Sequence, residues 1–524
     1  MDNFETISTN EQTLCVEWID QAPCSALITT RDKLDGARNV GIDAMAPDEA
    51  IEYFKRLIAQ SSNSDAFTTL DRQLLIRAAD ANPLVMQWIV AQIELAQSAH
   101  EVLNDLKQGK GDAAQRVFDR SFNLPQLGDD GRAVLLALSL FVPSASRDAL
   151  AMVAGFGNDI QRLNKAVSRL AALRLISTTD GGRRLMVTGL TRELANARLL
   201  ESSSVKDFQS RFVQYFVEYT RSHAEINAEN LDLLELEKDN LIATIDLAAE
   251  TRDWEIVMEV TNGLSEGMLN LHGHWNDAKR VLNLALQAAT NSNAQYEVAS
   301  FGHNLAILHH MQGEIDEARR LYIKSLEIVK QLGDEQGIAH SLHQLGRIAQ
   351  DQGKIDEARR LYTESFEIQK KLDNQRGIAN SLHQLGRIAQ DQGKIDEARR
   401  LYTESFEIQK KLDNQHGIAN SLHQLGRVAE DQGKIDEARR LYTESLEITK
   451  KLGDQHGIAN SFGQIGRLAE SEHKLEEAVA MYRAALKIFE TLGSPLTEMT
   501  RNYLQRAEAA LSKEKSHRKK KKSK

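Results

Sequence analysis

The sequence predicts a mainly α protein whose C-terminal half is an α-solenoid, preceded by a smaller set of helices with a short β-hairpin. The first observation is a strict 40-residue period: residues 341–380 and 381–420 differ only by Arg376 against His416. The second is composition. With 6% aromatic residues, 27% charged residues and 6 prolines in 524 residues, the chain is typical of helix-rich globular proteins. A plain helix bundle does not explain the fixed period.

One unit of the repeat, residues 339–378, has the pattern of a helical hairpin. Apolar and small residues recur at three-and-four spacing in two runs: Leu342, Leu345, Ile348 and Ala349, then Ile355, Ala358, Leu361, Tyr362, Ser365, Phe366 and Ile368. Gly353 between the runs predicts the left-handed end of the first helix, and Gly377 predicts a turn that closes the unit. Gly346 predicts a close approach of the two helices. Each hairpin leaves apolar surface that only stacking on its neighbours buries.

These residues resemble the tetratricopeptide repeat (TPR). That motif has a large residue, Leu-Gly, a glycine turn, an alanine, an aromatic and a small residue, matched here by Leu342, Leu345-Gly346, Gly353, Ala358, Tyr362 and Ser365. The period of 40 rather than 34 is similar to the TPRs of G-protein-signalling modulators and bacterial signalling ATPases. The resemblance implies a TPR α-solenoid of six repeats over residues 261–500, with a capping helix at 501–512.

Residues 1–114 resemble part of the NB-ARC class of STAND signalling ATPases. The matching segments are Asp2-Asn3-Phe4-Glu5 for the end of a Walker B strand, Leu27-Ile28-Thr29-Thr30-Arg31 for the sensor strand, and Asn82-Pro83-Leu84 for the Gly-x-Pro motif. The resemblance implies a partial α/β nucleotide-binding domain. It also implies weak residual nucleotide contacts from Asp2, Thr30, Arg31 and Pro83.

The phosphate-binding loop of such enzymes, G-x-x-x-x-G-K-[ST], has no match in this sequence. Gly109-Lys110-Gly111 and Gly128-Asp129-Asp130-Gly131 do not fit it, and we interpret both as loop glycines. We therefore expect a chain that begins inside an ATPase domain whose first half is absent. A Walker B carboxylate has no metal and phosphate to serve without that loop, so no ATP hydrolysis and at most weak ADP or ATP binding is expected.

Residues 115–204 have the pattern of a winged-helix domain. Helices are predicted at Ala133–Phe141 and Ile160–Leu173, with Ser146 capping another between them. Asp180-Gly181-Gly182 predicts a hairpin. In STAND proteins this module is a lid over the nucleotide, which is the role we favour. Four basic residues on or just after the third helix keep DNA binding as an alternative: Arg162, Lys165, Arg169 and Arg174. Residues 205–260 are predicted to be linking helices.

Polar residues off the apolar face recur at the repeat interval on the predicted first helix of each hairpin. They form four rows: Asn380, Asn420 and Asn460; His343, His383 and His423; Arg347, Arg387, Arg427 and Arg467; and Asp351, Asp391 and Asp431. Because first helices line the concave face of a TPR stack, the rows predict a groove for an extended, partly acidic segment of a partner protein. The alternative is that the rows pair with each other, as Arg387 and Asp391 would one turn apart.

A metal role for the histidine row is not favoured. Successive hairpins are separated by about 10 Å, whereas zinc–nitrogen bonds are about 2 Å. The sequence therefore predicts a protein–protein interaction scaffold or sensor in signal transduction and not an enzyme. A nucleotide-binding switch and a winged-helix DNA-binding regulator are the alternatives, with nucleic acid the less favoured partner.

The remaining features concern location and the C-terminus. No run of about 18 apolar residues is present, so no membrane insertion is expected. Cys15 and Cys24 suit a reducing, cytoplasmic setting. Although the net charge is −10, residues 513–524 hold eight Lys or Arg against one Glu. We expect a disordered basic tail there, with an anionic-surface contact or a sorting signal as alternatives.

Overall fold

The computed structural model describes residues 45–61, 67, 72–95, 99–108, 111–225, 227–264, 269 and 273–522, with the backbone alone at 72, 107–108 and 517–522. The chain divides into two compact units, Met1–Phe216 and Val217–Lys524. The predicted mainly α class is confirmed, because strands in the described residues are confined to one small sheet. None of the described helices is long and apolar enough to cross a membrane.

The described part of the first unit starts with five helices: α1 Pro47–Ala59, α2 Arg72–Ala78, α3 Pro83–Glu94, α4 Ala99–Gln108 and α5 Ala113–Asn123. Helix α3 has proline at its first position, and Oδ1 of Asn82 accepts hydrogen bonds from the backbone N–H groups of Leu84 and Val85 at 3.0 and 3.2 Å. The predicted Walker B end and the sensor strand lie outside the described residues.

A three-stranded sheet and four helices follow: α6 Gly128–Leu138, β1 Ala145–Ser146, α7 Arg147–Val153, α8 Ile160–Ala172, β2 Ser177–Thr179, β3 Arg184–Met186 and α9 Gly189–Glu201. The sheet is antiparallel in the order β1-β3-β2. Ser146 caps α7 as predicted, because its Oγ accepts from the backbone N–H of Ala149 at 3.2 Å. The predicted hairpin is present, with Asp180 and Gly181 at φ of 50° and 60°.

The loop interpretation of Gly128–Gly131 is wrong for Gly131, whereas Gly128 has a left-handed φ of 66°, as a turn glycine does. Helix α6 begins at Gly128, and Gly131 lies inside it. A Cβ added to Gly131 would come within 2.4 Å of Cδ1 of Leu127. This glycine is therefore present for packing, not for a turn.

The second unit is a series of helices that pair into hairpins. After α10 Val205–Ser222, which contains the unit boundary, come α11 Ala228–Leu236 and α12 Lys238–Glu250. The six hairpins are α13 Trp254–Leu264 with α14 Trp275–Asn291, α15 Gln295–Met311 with α16 Ile315–Leu332, α17 Glu335–Asp351 with α18 Ile355–Lys371, α19 Gln375–Asp391 with α20 Ile395–Lys411, α21 Gln415–Asp431 with α22 Ile435–Leu452, and α23 Gln455–Ser471 with α24 Leu475–Thr491. From α12 onward, each helix packs against the next along the chain.

In the unit 339–378, the turn between the two helices is the predicted glycine turn, but the turn that closes the unit is not at the predicted glycine. Gly353 has a left-handed φ of 71°. At the end of the same unit, Asp373 takes the left-handed conformation with φ 52°, and Asn374 caps α19. The turn assignment of Gly377 is therefore wrong. It lies in the first turn of α19, where a Cβ would come within 2.4 Å of the Gln369 side chain.

Small residues bring the two helices of a hairpin into contact, as the sequence predicts. A Cβ on Gly346 would lie 2.8 Å from Cε1 of Tyr362, so the tyrosine ring occupies the space above the glycine. Tyr362 is fully buried. Oγ of Ser365 donates to the carbonyl of Ala339 at 2.8 Å, which joins the second helix to the first. Equivalent contacts recur in the neighbouring hairpins.

Ion pairs connect the second helix of one hairpin to the second helix of the next. Arg399 contacts Glu437 at 2.7 Å, and the same pair occurs one repeat earlier between Arg359 and Glu397 at 2.5 Å. Apolar side chains cross between hairpins as well: Val428 of α21 packs with the core of α19 and α20. Successive hairpins thus stack on one another through both kinds of contact.

The last helix, α25, runs from Thr497 to Lys522, so the prediction of a cap at 501–512 followed by a disordered tail is corrected. Leu504 and Ala507 pack against Val479 and Tyr482 of α24. Residues 497–522 contain no glycine or proline and are rich in Lys, Arg, Glu and Ala. These residues favour continuation of the helix.

Candidate functional site

A polar cavity of about 360 Å³ lies on the first helices of three consecutive hairpins. Helices α17, α19 and α21 all contribute to it, as does the second helix α20. The lining residues are His343, Arg347, Asn380, His383, Gln384, Arg387, Ser405, Gln409, Gly417, Asn420 and Ser421. The structure therefore brings together members of the predicted asparagine, histidine and arginine rows.

The cavity carries positive charge. Its lining includes Arg347 and Arg387 but no Asp or Glu. Within the described residues, neither arginine has a carboxylate at ion-pair distance, and Arg347 instead donates to Oε1 of Gln344 at 3.2 Å. The pairing of Arg387 with Asp391 that the alternative interpretation required is not formed there. These guanidinium groups remain available to an anionic ligand.

Two members of the aspartate row, Asp351 and Asp431, bond to neighbouring hairpins instead. Oδ2 of Asp431 accepts from Nε2 of Gln390 at 2.6 Å, and Oδ2 of Asp351 lies 2.7 Å from Nε2 of His310. Both contacts join the first helix of one hairpin to the first helix of the next. First helices are therefore direct neighbours along this surface.

The histidine row forms an aromatic wall. The ring centroids of His343 and Tyr362 are 5.1 Å apart, and those of His383 and Tyr402 are 5.3 Å apart. Burial, together with the charge of the nearby arginine, lowers the pKa of each of these histidines to about 4. They are neutral at physiological pH, so the arginines set the charge of the cavity. Among the described residues, no group of three or more His, Cys, Asp or Glu is placed to hold a metal ion.

The asparagine row presents free amides at two of its three positions. Asn380 and Asn420 are exposed, and neither has a hydrogen-bond partner in the part of the chain that the structure describes. At the third position, Nδ2 of Asn460 lies 3.1 Å from Nδ1 of His456. A free side-chain amide offers both a donor and an acceptor, which is what a peptide backbone needs.

Several predicted site residues do not line this cavity: Asp391, His423, Arg427, Asn460 and Arg467. Arg467 differs from the rest of its row, because its Nη2 contacts Oε2 of Glu430 at 2.7 Å. Of the predicted nucleotide contacts, Asp2, Thr30 and Arg31 lie outside the described residues. Pro83 is the first residue of α3.

The sequence analysis missed two features of this surface. Gln384 lines the cavity. It belongs to a fifth row of polar residues at the 40-residue interval, with Gln344, Gln424 and Gln464, and this interval could have identified it. A second cavity of about 610 Å³ is lined by Tyr296, His303 and His340 among others. Its lining contains one carboxylate, Asp334, and no Lys or Arg. Its residues come from the diverged repeats, where the periodic pattern is weaker.

The family model of the tetratricopeptide repeat matches residues 297–371, 377–451 and 417–491. Residues 297–491 form a tetratricopeptide repeat array. Both cavities lie on helices of this TPR array. No curated protein matches the sequence significantly.

Among solved structures, the chain is similar to a Signal Transduction ATPase with Numerous Domains (STAND) protein with a tetratricopeptide repeat sensor from Pyrococcus horikoshii. The TM-score is 0.58 at 16% sequence identity, and the match covers 92% of this chain. The chain spans 64% of the length of that protein. The quorum sensor NprR from B. thuringiensis is matched with a TM-score of 0.40 at 15% identity, over 61% of this chain and 92% of that one. The first similarity shows that the two chains share a fold over the matched residues.

Proposed function

We propose that the TPR array binds an extended, partly acidic segment of a partner protein, and that the chain acts as an interaction scaffold or sensor in signal transduction. The observation that carries this proposal is the cavity containing Arg347 and Arg387 without any acidic lining residue. Unpaired guanidinium groups in a cavity favour carboxylate ligands, with which they form paired, charge-assisted hydrogen bonds.

The neighbouring groups suit the backbone of the same segment. The amides of Asn380 and Asn420 would hydrogen-bond to its peptide groups, and the neutral rings of His343 and His383 would form an uncharged wall. An extended ligand would contact several hairpins at once. Such repeat arrays use extended concave surfaces in this way.

The test is selection from a random twelve-residue peptide library displayed on phage, with the full chain immobilised. We expect selected peptides to be enriched in Asp and Glu over the input, and R387E/R427E to lose that enrichment. The matched control is R400E/R440E. It makes the same charge change in the same two hairpins, at exposed positions that pair with Glu404 and Glu444 within their own helices. Selection without acidic enrichment, or equal enrichment by both variants, would refute the proposal.

A nucleotide-dependent switch is the second candidate, favoured by the fold similarity to a STAND ATPase over 92% of the chain. In this proposal, the helices and hairpin from α6 to β3 are a winged-helix lid, and Pro83 would pack near adenine. Calorimetric titration of the full chain with MgADP and MgATP separates the two candidates. Saturable heat would support the switch, and its absence would leave the scaffold alone.

DNA binding by the proposed winged helix receives less support from the basic side chains on and just after α8. Arg162 contacts Asp130 at 2.6 Å, and Arg174 contacts Glu94 at 3.4 Å. Nη1 of Arg169 donates to the carbonyl of Leu127 at 3.5 Å, a long contact. Only Lys165 of the four has no such partner among the described residues. An electrophoretic shift with duplex DNA at two salt concentrations tests this role, and we expect no shift at physiological salt.

A further inference from the structure

Three arginines at one register position of consecutive first helices form a short cationic row: Arg347, Arg387 and Arg427. None of the three has a carboxylate at ion-pair distance among the described residues. Arg347 and Arg427 each donate to a glutamine of their own helix at 3.2 Å. From here on, the arginine row means these three residues, without Arg467.

The row ends after its third member because the next arginine is neutralised. Arg467 contacts Oε2 of Glu430 at 2.7 Å. At the position equivalent to Glu430, the two preceding hairpins carry Gln350 and Gln390. One hairpin further along, Glu470 is paired with Arg506 at 2.8 Å. The surface therefore has three unpaired guanidinium groups in succession and then a charge-balanced end.

The spacing of the row follows from helix packing. The first helices are direct neighbours, as the bond from Gln390 to Asp431 shows. Packed helices have axes about 8–10 Å apart. The arginines of the row lie at equivalent positions of α17, α19 and α21, so we expect them to recur at about that interval.

This interval selects among the extended conformations of a peptide. A β-strand returns a side chain to the same face every second residue, or about 6.7 Å, which falls short of the arginine spacing. A polyproline II helix has three residues per turn and a rise of 3.1 Å, so the same face returns about every 9.3 Å. It also has no internal hydrogen bonds, which leaves its peptide groups open to Asn380 and Asn420.

We propose that the TPR array binds a polyproline II segment with an acidic side chain at every third residue, three in succession, each carboxylate contacting one arginine of the row. This inference rests on the proposed function and specifies the chemistry of the partner. It fixes the number of acidic residues at three, because the fourth arginine is already paired with Glu430.

The experiment compares fluorescein-labelled peptides of identical composition by fluorescence anisotropy with the full chain. The first is (Glu-Pro-Ala)₃, the second is its isomer Glu-Pro-Glu-Pro-Glu-Pro-Ala-Ala-Ala, and the third replaces every Glu of the first by Gln. We expect the first to bind about tenfold more tightly than the second, because its carboxylates meet all three arginines at once. The Gln peptide is expected to bind too weakly to measure.

Variants of the chain locate the contact. R427Q should weaken binding of (Glu-Pro-Ala)₃ about tenfold, whereas R440Q, at an exposed position of the same hairpin, should leave it unchanged. Equal binding of the two isomers, lost in R387E/R427E, would overturn the polyproline II inference while the proposed function stands. Failure of every acidic peptide to bind would overturn both.

Discussion

At the residue scale, glycines on the first helices perform two different tasks, and the structure predicts opposite responses to the same substitution. Gly386 faces Tyr402, and a Cβ there would lie 2.9 Å from its Cε1 atom. Gly463 has a helical position in the last hairpin with no atom within 4 Å of an added Cβ. One glycine is therefore required by packing, and the other is not.

We expect G386A to lower the free energy of unfolding by about 1 kcal/mol or more, because the clash with the buried ring exceeds the gain in helix propensity of about 1 kcal/mol. G463A is the matched control and should be neutral or stabilising by up to about 1 kcal/mol. Urea denaturation followed by circular dichroism measures both. If both variants were equally stable, the close contact with Tyr402 would have no energetic role.

The histidine row predicts sensitivity to acid. The pKa of His343, His383 and His423 is lowered to about 4, chiefly by burial, whereas an unfolded histidine titrates near 6.5. The unfolded chain therefore binds more protons between these values. The stability that the neutral histidines contribute is complete above about pH 6.5 and is lost as the pH falls through about 4.

Replacing the row by phenylalanine, H343F/H383F/H423F, should make the melting temperature decline less between pH 7 and pH 4.5. Phenylalanine keeps a ring against the tyrosine and cannot be protonated. The exposed His416 provides the control, and H416N is expected to retain the wild-type profile. A triple variant with an unchanged pH profile would show that these imidazoles do not couple to folding.

At the element scale, the sequence predicted helices well and their ends less well. Periodicity located both helices of each hairpin, and the left-handed Gly353 was predicted correctly. Gly377 was misassigned because a local pattern does not reveal that the Gln369 side chain occupies the space beside it. The sequence analysis predicts the end of α25 too early, because it interprets the high charge of residues 513–524 as a sign of disorder. Lys-rich segments without glycine or proline also continue helices.

The candidate site was predictable to the extent that it repeats. The 40-residue spacing placed Asn380, His383 and Arg387 on one helix face, and the structure brings them into one cavity. Which members of each row are free was not predictable. The pairing of Arg467 depends on Glu430, 37 residues away, and on the approach of two first helices.

The ion pairs between second helices predict a modest, salt-dependent contribution to stacking. Arg399 contacts Glu437 of the next hairpin at 2.7 Å, and both side chains are partly exposed. We expect R399Q to lower the free energy of unfolding by about 0.5–1 kcal/mol at low salt and by less at 1 M salt, where the pair is screened.

The control for this prediction is R400Q. Arg400 contacts Glu404 of its own helix at 3.6 Å and makes no ion pair with another hairpin among the described residues. Its substitution should change stability by less than that of Arg399. Denaturant titrations at two salt concentrations distinguish the variants, and a loss independent of salt would rule out an electrostatic origin.

At the scale of the whole molecule, stability in a repeat array depends on what covers its ends. Helix α25 covers the last hairpin, because Leu504 and Ala507 pack against Val479 and Tyr482. Beyond residue 512, Lys515 forms an exposed ion pair with Glu476 of the array at 3.0 Å. The two parts of one helix therefore have different energetic roles.

Truncation separates these roles. We expect a chain ending at residue 512 to keep the wild-type melting temperature, because the apolar contacts of Leu504 and Ala507 with α24 remain. A chain ending at residue 496 exposes the apolar surface of α24 and should melt at a lower temperature and bind a hydrophobic dye at lower temperature. Thermal scans with circular dichroism and dye fluorescence measure both truncations. Equal melting of the two shortened chains would mean that the fold of the last hairpin does not require its cover, and that stacking within the array is sufficient.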